Sequence, residues 1–458
     1  MKTPSLFTLL TEGLEANLHR LNPWWQGLPQ APLPATKRWA FPVAWQRLQA
    51  GLAKITVLSG PRQVGKSTLA LQLIQTLLDQ GTPSHHIFYI QFDELPQLIN
   101  AEEPILRLVD WFEQQILKQT FNQTAREGKI VYLFLDEVRN LSAWAPQLKF
   151  LVDTSAVRVL VTGSSALRIE QGRDSLAGRI STLEMGPLFL REIMVLSGEG
   201  DLPSHLTANG LAPLKHKEFW LGLRKFGEQH QAVRNRAFKA FSERGAYPIA
   251  HVRPDRPWEE LADQLNETII RRAIRHDLRQ GPRGAKRDEH LLEEVFRLAC
   301  RYAGQSPKPA LYLDEMKRAM SANIGWQRVL NYLKFLDGTL LIRLIEPLEL
   351  RLKRRRGAPK LCLCDHALRA SWLQEVVPIH PEGLAVSAFA RSCWAHCGKC
   401  GRLFLEINYQ LGSRTFPGAY CRAGGRFRVD DRRAAHSPGN QVPRALHLGG
   451  YERAPEFR

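Results

Sequence analysis

The chain has 458 residues, a formal net charge of +18 and seven cysteines. Its length predicts two to four domains, and the lack of any apolar run of about 18 residues argues against a transmembrane helix. Residues 1–21 contain acids and lack a basic start followed by an apolar stretch, so no secretory signal is expected. We therefore expect a cytoplasmic protein with reduced cysteines and no membrane contact. The positive charge favours a polyanionic partner, although it is spread along the chain as in a merely basic protein.

Two regions follow one another at the start of the chain. Residues 1–40 are rich in proline and tryptophan and predict an N-terminal arm that packs against the core. Residues 41–197 alternate strand and helix patterns, which predicts an α/β fold with a parallel sheet and helices on both faces. Its first buried strand covers Ile55–Leu58, and a helix with one apolar face covers Thr68–Ile74.

Between this strand and this helix lies the pattern G-x-x-x-x-G-K-[ST], which wraps nucleotide phosphates. The glycines let consecutive N–H groups point inward at phosphate oxygens, and the helix N-terminus adds its positive dipole end. Lys66 is expected to reach the β- and γ-phosphates of ATP, and Ser67 to ligate Mg²⁺. A chance glycine-rich turn is the alternative, and the strand–loop–helix context disfavours it. The candidate nucleotide-binding residues are Gly60, Pro61, Arg62, Gln63, Val64, Gly65, Lys66, Ser67 and Thr68.

A second apolar run, residues 130–135, ends in Asp136 and Glu137. Such a run is typical of a central parallel strand that is buried on both faces. Its carboxyl end is where α/β sheets bind ligands. We expect Asp136 to hold Mg²⁺ through water and Glu137 to polarise the attacking water. An apolar run that ends in acids is common, but about 65 residues after the loop it favours a nucleotide hydrolase.

Residues 157–163 predict another buried strand, followed by Ser164 and Ser165. Either serine could contact the γ-phosphate from the neighbouring strand, and Ser164 is the candidate nucleotide-binding residue. A strand that simply leads into a turn explains the pattern equally well. Arg179 could contact phosphate or be an ordinary solvated residue, which is the usual place of an arginine.

Residues 198–285 carry helical patterns without strand signals and predict a helical lid beside the nucleotide. Arg271 and Arg272 lie there and are candidates for an arginine that completes the site, with Arg271 as the catalytic candidate. The same arginine could instead come from a neighbouring subunit, so an oligomer is possible.

Residues 286–350 predict three helices followed by a strand, which is the order of a winged helix. Its third helix, residues 325–336, would expose Gln327, Arg328, Asn331 and Lys334 to a DNA groove. A packing module without DNA contact is the alternative. The cluster Arg351–Arg356 could bind phosphate or be a solvated turn, and the sequence does not decide between them.

Taken together, these motifs resemble a family of AAA-type ATPases of bacteria and archaea. That family carries a C-terminal domain of uncharacterised function with a restriction-endonuclease-like fold. The resemblance covers roughly residues 40–380 and implies ATP binding and hydrolysis, with an unknown client. The matching segments are Gly60–Ser67, Leu133–Glu137 with Trp144, Thr162–Ser165, Leu176–Arg179, Gly186–Leu188, Gly245–Pro248, Arg271–Asp277, Pro359–Leu361 and Asp365.

After about residue 383 the regular periodicity fades, and Gly, Arg, His and Cys dominate. Cys393, Cys397 and Cys400 could be zinc ligands, but no second knuckle follows them, so we reject that interpretation. Codons compatible with Arg391–Leu405 and Gly425–Arg444 can, in one shared shifted frame, encode a helix and a hairpin ending in Glu-x-Lys. Both resemble what the family carries at this point. We therefore expect residues 351–382 to begin the nuclease-like domain, and residues 383–458 to be an out-of-frame, disordered tail.

The sequence thus predicts an α/β protein with a P-loop sheet, a helical lid, a winged helix and a truncated C-terminal α/β domain. Its predicted function is Mg²⁺-dependent ATP hydrolysis that acts as a conformational switch. One alternative is a DNA-binding regulator whose nucleotide site is vestigial or only senses occupancy. Another is a non-functional product of a frameshifted gene.

Overall fold

A computed structural model of the chain describes most residues before position 375. The described residues are 12–99, 101–138, 141, 143–163, 176–202, 216–279, 288–320, 324–345, 359–374, 419–422 and 426–429.

The centre of the fold is a sheet of five parallel strands in the order β2-β3-β4-β1-β5. Strand β1 therefore lies between β4 and β5, and β4 separates it from β3. All five strands point the same way, so their carboxyl ends meet at one edge of the sheet. The strands are β1 (Ile55–Ser59), β2 (Ile87–Gln91), β3 (Val131–Asp136), β4 (Val157–Gly163) and β5 (Ile180–Glu184).

Both faces of this sheet are covered by apolar side chains, which explains the uninterrupted apolar runs of its strands. Leu58, Phe134 and Leu160 pack on one face with α2 (Ala40–Ala50) and α3 (Lys66–Asp79). The alternate residues of the same strands pack on the opposite face with α1 (Glu12–Leu21), α4 (Pro104–Phe112) and α6 (Trp144–Thr154). The protein is thus a mixed α/β fold with a parallel sheet flanked by helices, as the sequence predicts.

The described part of the N-terminal arm lies along the edge strand β2. The side chain of Asn22 hydrogen-bonds the backbone N–H and carbonyl of Tyr89, each at 2.8 Å. The indole N–H groups of Trp24 and Trp25 both donate to the carbonyl of Ile87. These contacts satisfy backbone groups that an edge strand otherwise leaves open.

The sheet region also contains short helices and helical turns. The described part of residues 198–285 contains helices and no strand. Those of the sheet region are α5 (Phe121–Arg126) and α7 (Leu190–Leu196), the 3-10 turns Pro23–Gln26, Ser84–His86 and Pro96–Leu98, and the π-helical turn Glu113–Leu117. The predicted lid contains α8 (Lys217–Gln229), α9 (Gln231–Arg244), α10 (Pro248–Val252), α11 (Trp258–Leu265), the π-helical turn Asn266–Arg271 and α12 (Arg272–Arg279).

Three helices and an antiparallel pair of strands follow the lid. They are α13 (Glu289–Arg301), α14 (Pro309–Met320), α15 (Trp326–Gly338), β6 (Ile342–Ile345) and β7 (Lys360–Leu363), with α16 (His366–Leu373) after them. The pairing of β6 with β7 joins residues on both sides of the domain boundary that the sequence predicts at 350/351. The strand at 360–363 therefore packs with the preceding helices rather than standing apart from them.

Within the predicted tail the structure describes two short antiparallel strands, β8 (Ala419–Arg422) and β9 (Arg426–Val429). The rest of that tail, including the three candidate zinc cysteines, lies outside the described residues. Among the helices that the structure describes, none is long and apolar enough to span a membrane.

A buried carboxylate fastens the lid to the segment after β7. Asp365 accepts a hydrogen bond from the N–H of Ala246 at 2.6 Å and another from the N–H of Ala367 at 3.0 Å. Gly245 stands against this contact with a φ of +77°, and a Cβ at its position would lie 2.4 Å from the Cβ of Ala367. Glycine is required here both by the left-handed backbone and by the close approach.

We expect Gly245→Ala to lower the free energy of unfolding by about 2–4 kcal/mol, because the new methyl group adds strain to a packed junction. Gly227→Ala is the matched control. Gly227 lies inside α8 with only one side-chain atom nearby, and alanine there should stabilise the helix by about 0.5–1 kcal/mol. Urea unfolding of both variants measures the difference. Equal stability of the two variants would contradict the junction described here.

Candidate functional site

The loop between β1 and α3 has the backbone shape that a phosphate cradle needs. Gln63 has a φ of +62° and Gly65 a φ of +91°, so the chain turns sharply before α3 begins at Lys66. A Cβ at Gly60 would lie 2.1 Å from the carbonyl oxygen of Met185. Glycine at this position therefore lets the loop lie directly against the segment that follows β5.

The lysine of this loop is buried at its base. The ammonium of Lys66 donates to the carbonyl of Pro61 at 2.8 Å and to that of Gly60 at 3.1 Å. Only 5% of the residue is exposed. These bonds hold the charge at the start of the loop, on the edge of the sheet where the strands end.

Asp136, the last residue of β3, is almost completely buried and is held by two side-chain hydroxyls. It accepts hydrogen bonds from Thr162 and, at 3.0 Å, from Tyr89. Burial raises the pKa of Asp136, and these hydrogen bonds oppose the rise.

Ser67 and Asp136 fit the requirements of Mg²⁺, which prefers hard oxygen ligands and keeps several of its waters. Ser67 lies in the first turn of α3, directly after the phosphate loop, and Asp136 ends β3 at the same edge of the sheet. Among the described residues no cluster of three or more His, Cys, Asp or Glu side chains could hold a metal ion by itself. A metal at this point would therefore take some of its ligands from the oxygens of a bound phosphate.

Glu137 follows Asp136 in a left-handed conformation, with a φ of +52°. Such a conformation is uncommon for a residue other than glycine, and strained backbone of this kind clusters at functional sites. The N–H of Glu137 donates to the hydroxyl of Thr162 at 3.1 Å. Glu137 directly follows the carboxyl end of β3, at the same edge of the sheet as the phosphate loop.

Thr162 lies on β4, between β1 and β3, and its single hydroxyl links both acids. It donates to Asp136 and accepts from the N–H of Glu137. Sequence reasoning noted the polar end of this strand but favoured Ser164 and Ser165, which lie outside the described residues. The signal for Thr162 was its place as the last hydroxyl residue within the strand.

Two of the candidate arginines are held in ion pairs with nearby carboxylates. Arg179 precedes β5, so it lies at the amino-terminal edge of the sheet, opposite the phosphate loop. Its guanidinium pairs with Asp153 at 2.6 and 2.9 Å, which corrects the phosphate-contact interpretation in favour of a surface ion pair. Arg271 is exposed and pairs with Glu267 one turn earlier, and its neighbour Arg272 is also exposed.

A residue that sequence reasoning missed is Arg38. Its side chain is buried and forms a two-point ion pair with Glu192, at 2.7 and 3.2 Å. It also donates to the carbonyls of Val64, Gly186 and Pro187. No motif marks this arginine, because its partners are distant in sequence.

A cavity of about 140 Å³ opens beside the phosphate loop, between the sheet and the strands β6 and β7. Pro61 of the loop and Pro187 line one side, and Leu363 lines another. Arg343 of β6 crosses to Glu184, the last residue of β5, and pairs with it. The later part of the chain thus reaches the carboxyl edge of the sheet directly.

Comparisons with known proteins give a domain match and several similar proteins. Residues 52–194 match the family model of an AAA domain. The chain is 24% identical over 326 residues to an uncharacterised protein of Haemophilus influenzae, over 69% of this chain and 68% of that protein. It is 31% identical over 144 residues to an uncharacterised protein of Methanocaldococcus jannaschii, over 31% of this chain and 28% of that one. A Walker-type ATPase of Pyrococcus abyssi is similar in structure with a TM-score of 0.41 and 14% identity, over 75% of this chain and 99% of that chain.

The family match covers the sheet, the phosphate loop and both acids. Together with the contacts described above, it supports an AAA-type P-loop ATPase. The nuclease-like fold of the C-terminal part stays a prediction.

We expect Thr162→Val to lower the free energy of unfolding by about 1–3 kcal/mol, because Asp136 and the N–H of Glu137 then lose a hydrogen-bond partner inside the protein. Thr162→Ser keeps the hydroxyl and should cost less, although it removes a buried methyl group. Thermal unfolding of both variants measures the comparison. Parental stability in Thr162→Val would contradict the role of the hydroxyl, because valine keeps the methyl group of threonine and loses only the hydroxyl.

Proposed function

We propose that this protein binds ATP and hydrolyses it with Mg²⁺, and uses the reaction as a conformational switch. The place of Thr162 carries the proposal, because it pairs with Leu58 near the end of β1 and its hydroxyl bonds Asp136 at the end of β3. It brings the start of the phosphate loop and the strand end that bears both acids to one edge of the sheet, as a hydrolase site requires. When bound, Mg²⁺ would be held by Ser67 and Asp136 and would neutralise phosphate charge during hydrolysis.

In this proposal the residues of the loop region have different tasks. Lys66 stabilises the charge of the β- and γ-phosphates, and the backbone N–H groups of the loop line the cradle. Ser67 and Asp136 hold the metal, directly or through water. Glu137 accepts the proton of the attacking water, since its carboxylate follows the strand end without being a metal ligand. Arg271 stays a candidate for stabilising the transition state, on the condition that its pair with Glu267 opens.

The switch is supported by contacts that connect the sheet edge to the rest of the chain. The N–H of Leu188 donates to the carbonyl of Ala246 at 2.7 Å. The N–H of the same Ala246 donates to Asp365, and Arg343 pairs with Glu184. A shift at the phosphate loop can therefore reach the lid and the segment around β7 through short, rigid contacts. None of these contacts identifies the client that such a movement would act on.

The second candidate function is a DNA-binding regulator that contains the predicted winged helix. The observation in its favour is that Gln327, Arg328, Asn331 and Lys334 are all exposed on α15. Two of them pair with each other, and Arg328 lies 3.5 Å from Asp288, so the face is only moderately basic. The cluster Arg351–Arg356 lies outside the described residues. Turnover of ATP by the purified protein with and without duplex DNA separates the two functions.

Lys66→Ala should abolish ATP binding, because it removes the cation that the loop holds at its base. Calorimetric titration with ATP measures the loss. Lys54→Ala is the matched control. Lys54 precedes β1 and also donates to two backbone carbonyls, those of Val152 and Ser155, at the opposite edge of the sheet. Unchanged affinity in Lys66→Ala would remove the basis of the proposed function.

Glu137→Gln should keep ATP bound and slow hydrolysis by roughly 10²–10⁴-fold, because an amide is a poor proton acceptor. Single-turnover release of phosphate measures the rate, and calorimetry checks the binding. Glu94→Gln is the control at the same edge, since Glu94 is exposed and bonds only Gln91 at 3.1 Å among the contacts that the structure gives for its side chain. Hydrolysis at the parental rate in Glu137→Gln would assign the water to another residue.

A further inference from the structure

Arg38 lies where three segments that are distant in sequence meet. Its guanidinium contacts the carbonyl of Val64 in the phosphate loop, the carbonyls of Gly186 and Pro187 after β5, and the carboxylate of Glu192 on α7. We infer that Arg38 is a positioning residue for the phosphate loop, and that it acts through the carbonyl of Val64. This inference rests on the proposed function, because it assigns a task to the phosphate-binding loop.

Peptide planarity explains how a contact with one carbonyl can aim a donor. The carbonyl of Val64 and the N–H of Gly65 belong to the same planar trans peptide and point in opposite directions. Fixing the carbonyl with Arg38 therefore directs the N–H of Gly65 to the other side, where the phosphate is expected. Lys66 does the same at the start of the loop, because its hold on the carbonyl of Pro61 directs the N–H of Arg62.

The loop needs such support because its own backbone is strained. Residues on both sides of Val64, namely Gln63 and Gly65, have positive φ angles, and Gln63 is not a glycine. Strained conformations of this kind persist only where the surroundings over-determine them. Arg38 supplies that constraint at the end of the loop, and Lys66 supplies it at the beginning.

The position of Arg38 is itself fixed by its ion pair. Glu192 accepts bonds from Nε and Nη2, which form one edge of the guanidinium, and also from the N–H groups of Trp39 and Phe189, at 2.7 and 2.8 Å. The planar fork of arginine presents separate nitrogen donors to Val64 and to Glu192, whereas lysine presents all its donors from one nitrogen atom. Arg38 therefore links the loop to α7 as one rigid unit.

Two measurements test the inference on the full-length protein. Amide hydrogen exchange over residues 60–67, without nucleotide, reports the order of the loop. Calorimetric titration with ATP and with ADP reports its ability to bind phosphates. Arg38→Met should speed exchange in the loop and weaken both nucleotides at least about tenfold, with Arg38→Lys in between.

Arg47→Met is the matched control. Arg47 lies on α2, is half-buried and donates to the carbonyl of Thr182 at 2.8 Å, so it makes the same kind of contact with β5 instead of the loop. It should leave both exchange in residues 60–67 and nucleotide affinity unchanged. Equal effects of Arg47→Met and Arg38→Met would overturn the inference. The loss of any arginine contact would then be enough to loosen the loop and weaken nucleotide binding.

A double variant separates positioning from the cost of an unpaired buried charge, which can be large. Arg38→Met combined with Glu192→Gln removes both charges and also the contact with Val64. Glu192→Gln alone keeps that contact. We expect the double variant to stay as weak as Arg38→Met and Glu192→Gln to bind more tightly than either. Recovery of parental affinity in the double variant would overturn the inference. If Arg38→Met alone does not fold, the double variant compared with Glu192→Gln still provides the test.

Failure of the proposed function gives a different result. If the parental protein binds no nucleotide, the titrations fail for every variant, but hydrogen exchange over residues 60–67 still shows whether Arg38 orders the loop. If the parental protein binds ATP and Arg38→Met binds it equally well with unchanged exchange, the inference alone is wrong.

Discussion

The carboxyl edge of the sheet is arranged around one buried carboxylate, that of Asp136. Removing a carboxylate from water is costly unless hydrogen bonds replace the water, and here two hydroxyls do so. Tyr89 donates from β2 and Thr162 donates from β4, the two strands on either side of β3. The strand order is therefore functional as well as structural, because it places a hydroxyl on each side of the same carboxylate.

The phosphate loop is held by cations from two directions. Lys66 bonds carbonyls at its start, and Arg38 bonds the carbonyl of Val64 near its end. Both charges are directed at carbonyls, so the corresponding N–H groups remain available on the other side of each peptide. The close contact between Gly60 and the carbonyl of Met185 completes this support from the segment after β5.

The segment after β5 connects this edge to the rest of the protein. Gly186 and Pro187 contact Arg38, Leu188 bonds Ala246, and Ala246 bonds Asp365. These contacts run from the phosphate loop through the predicted lid to the residues after β7. Each step is a hydrogen bond in which at least one partner is a backbone group. Gly245 tolerates no side chain at this junction, because a Cβ there would lie 2.4 Å from the Cβ of Ala367.

The sequence by itself determined the phosphate loop, the acid pair after β3 and the parallel sheet, because each depends on neighbouring residues and on local periodicity. Tertiary structure alone decided which distant residues meet. Arg38 lies in a segment with no motif, and its partners are up to 154 positions away. Arg179 was uncertain from sequence, and only the strand direction places it at the opposite edge. The pairing of β6 with β7 joins residues that sequence reasoning had assigned to separate domains, since pairing between distant strands leaves no local pattern.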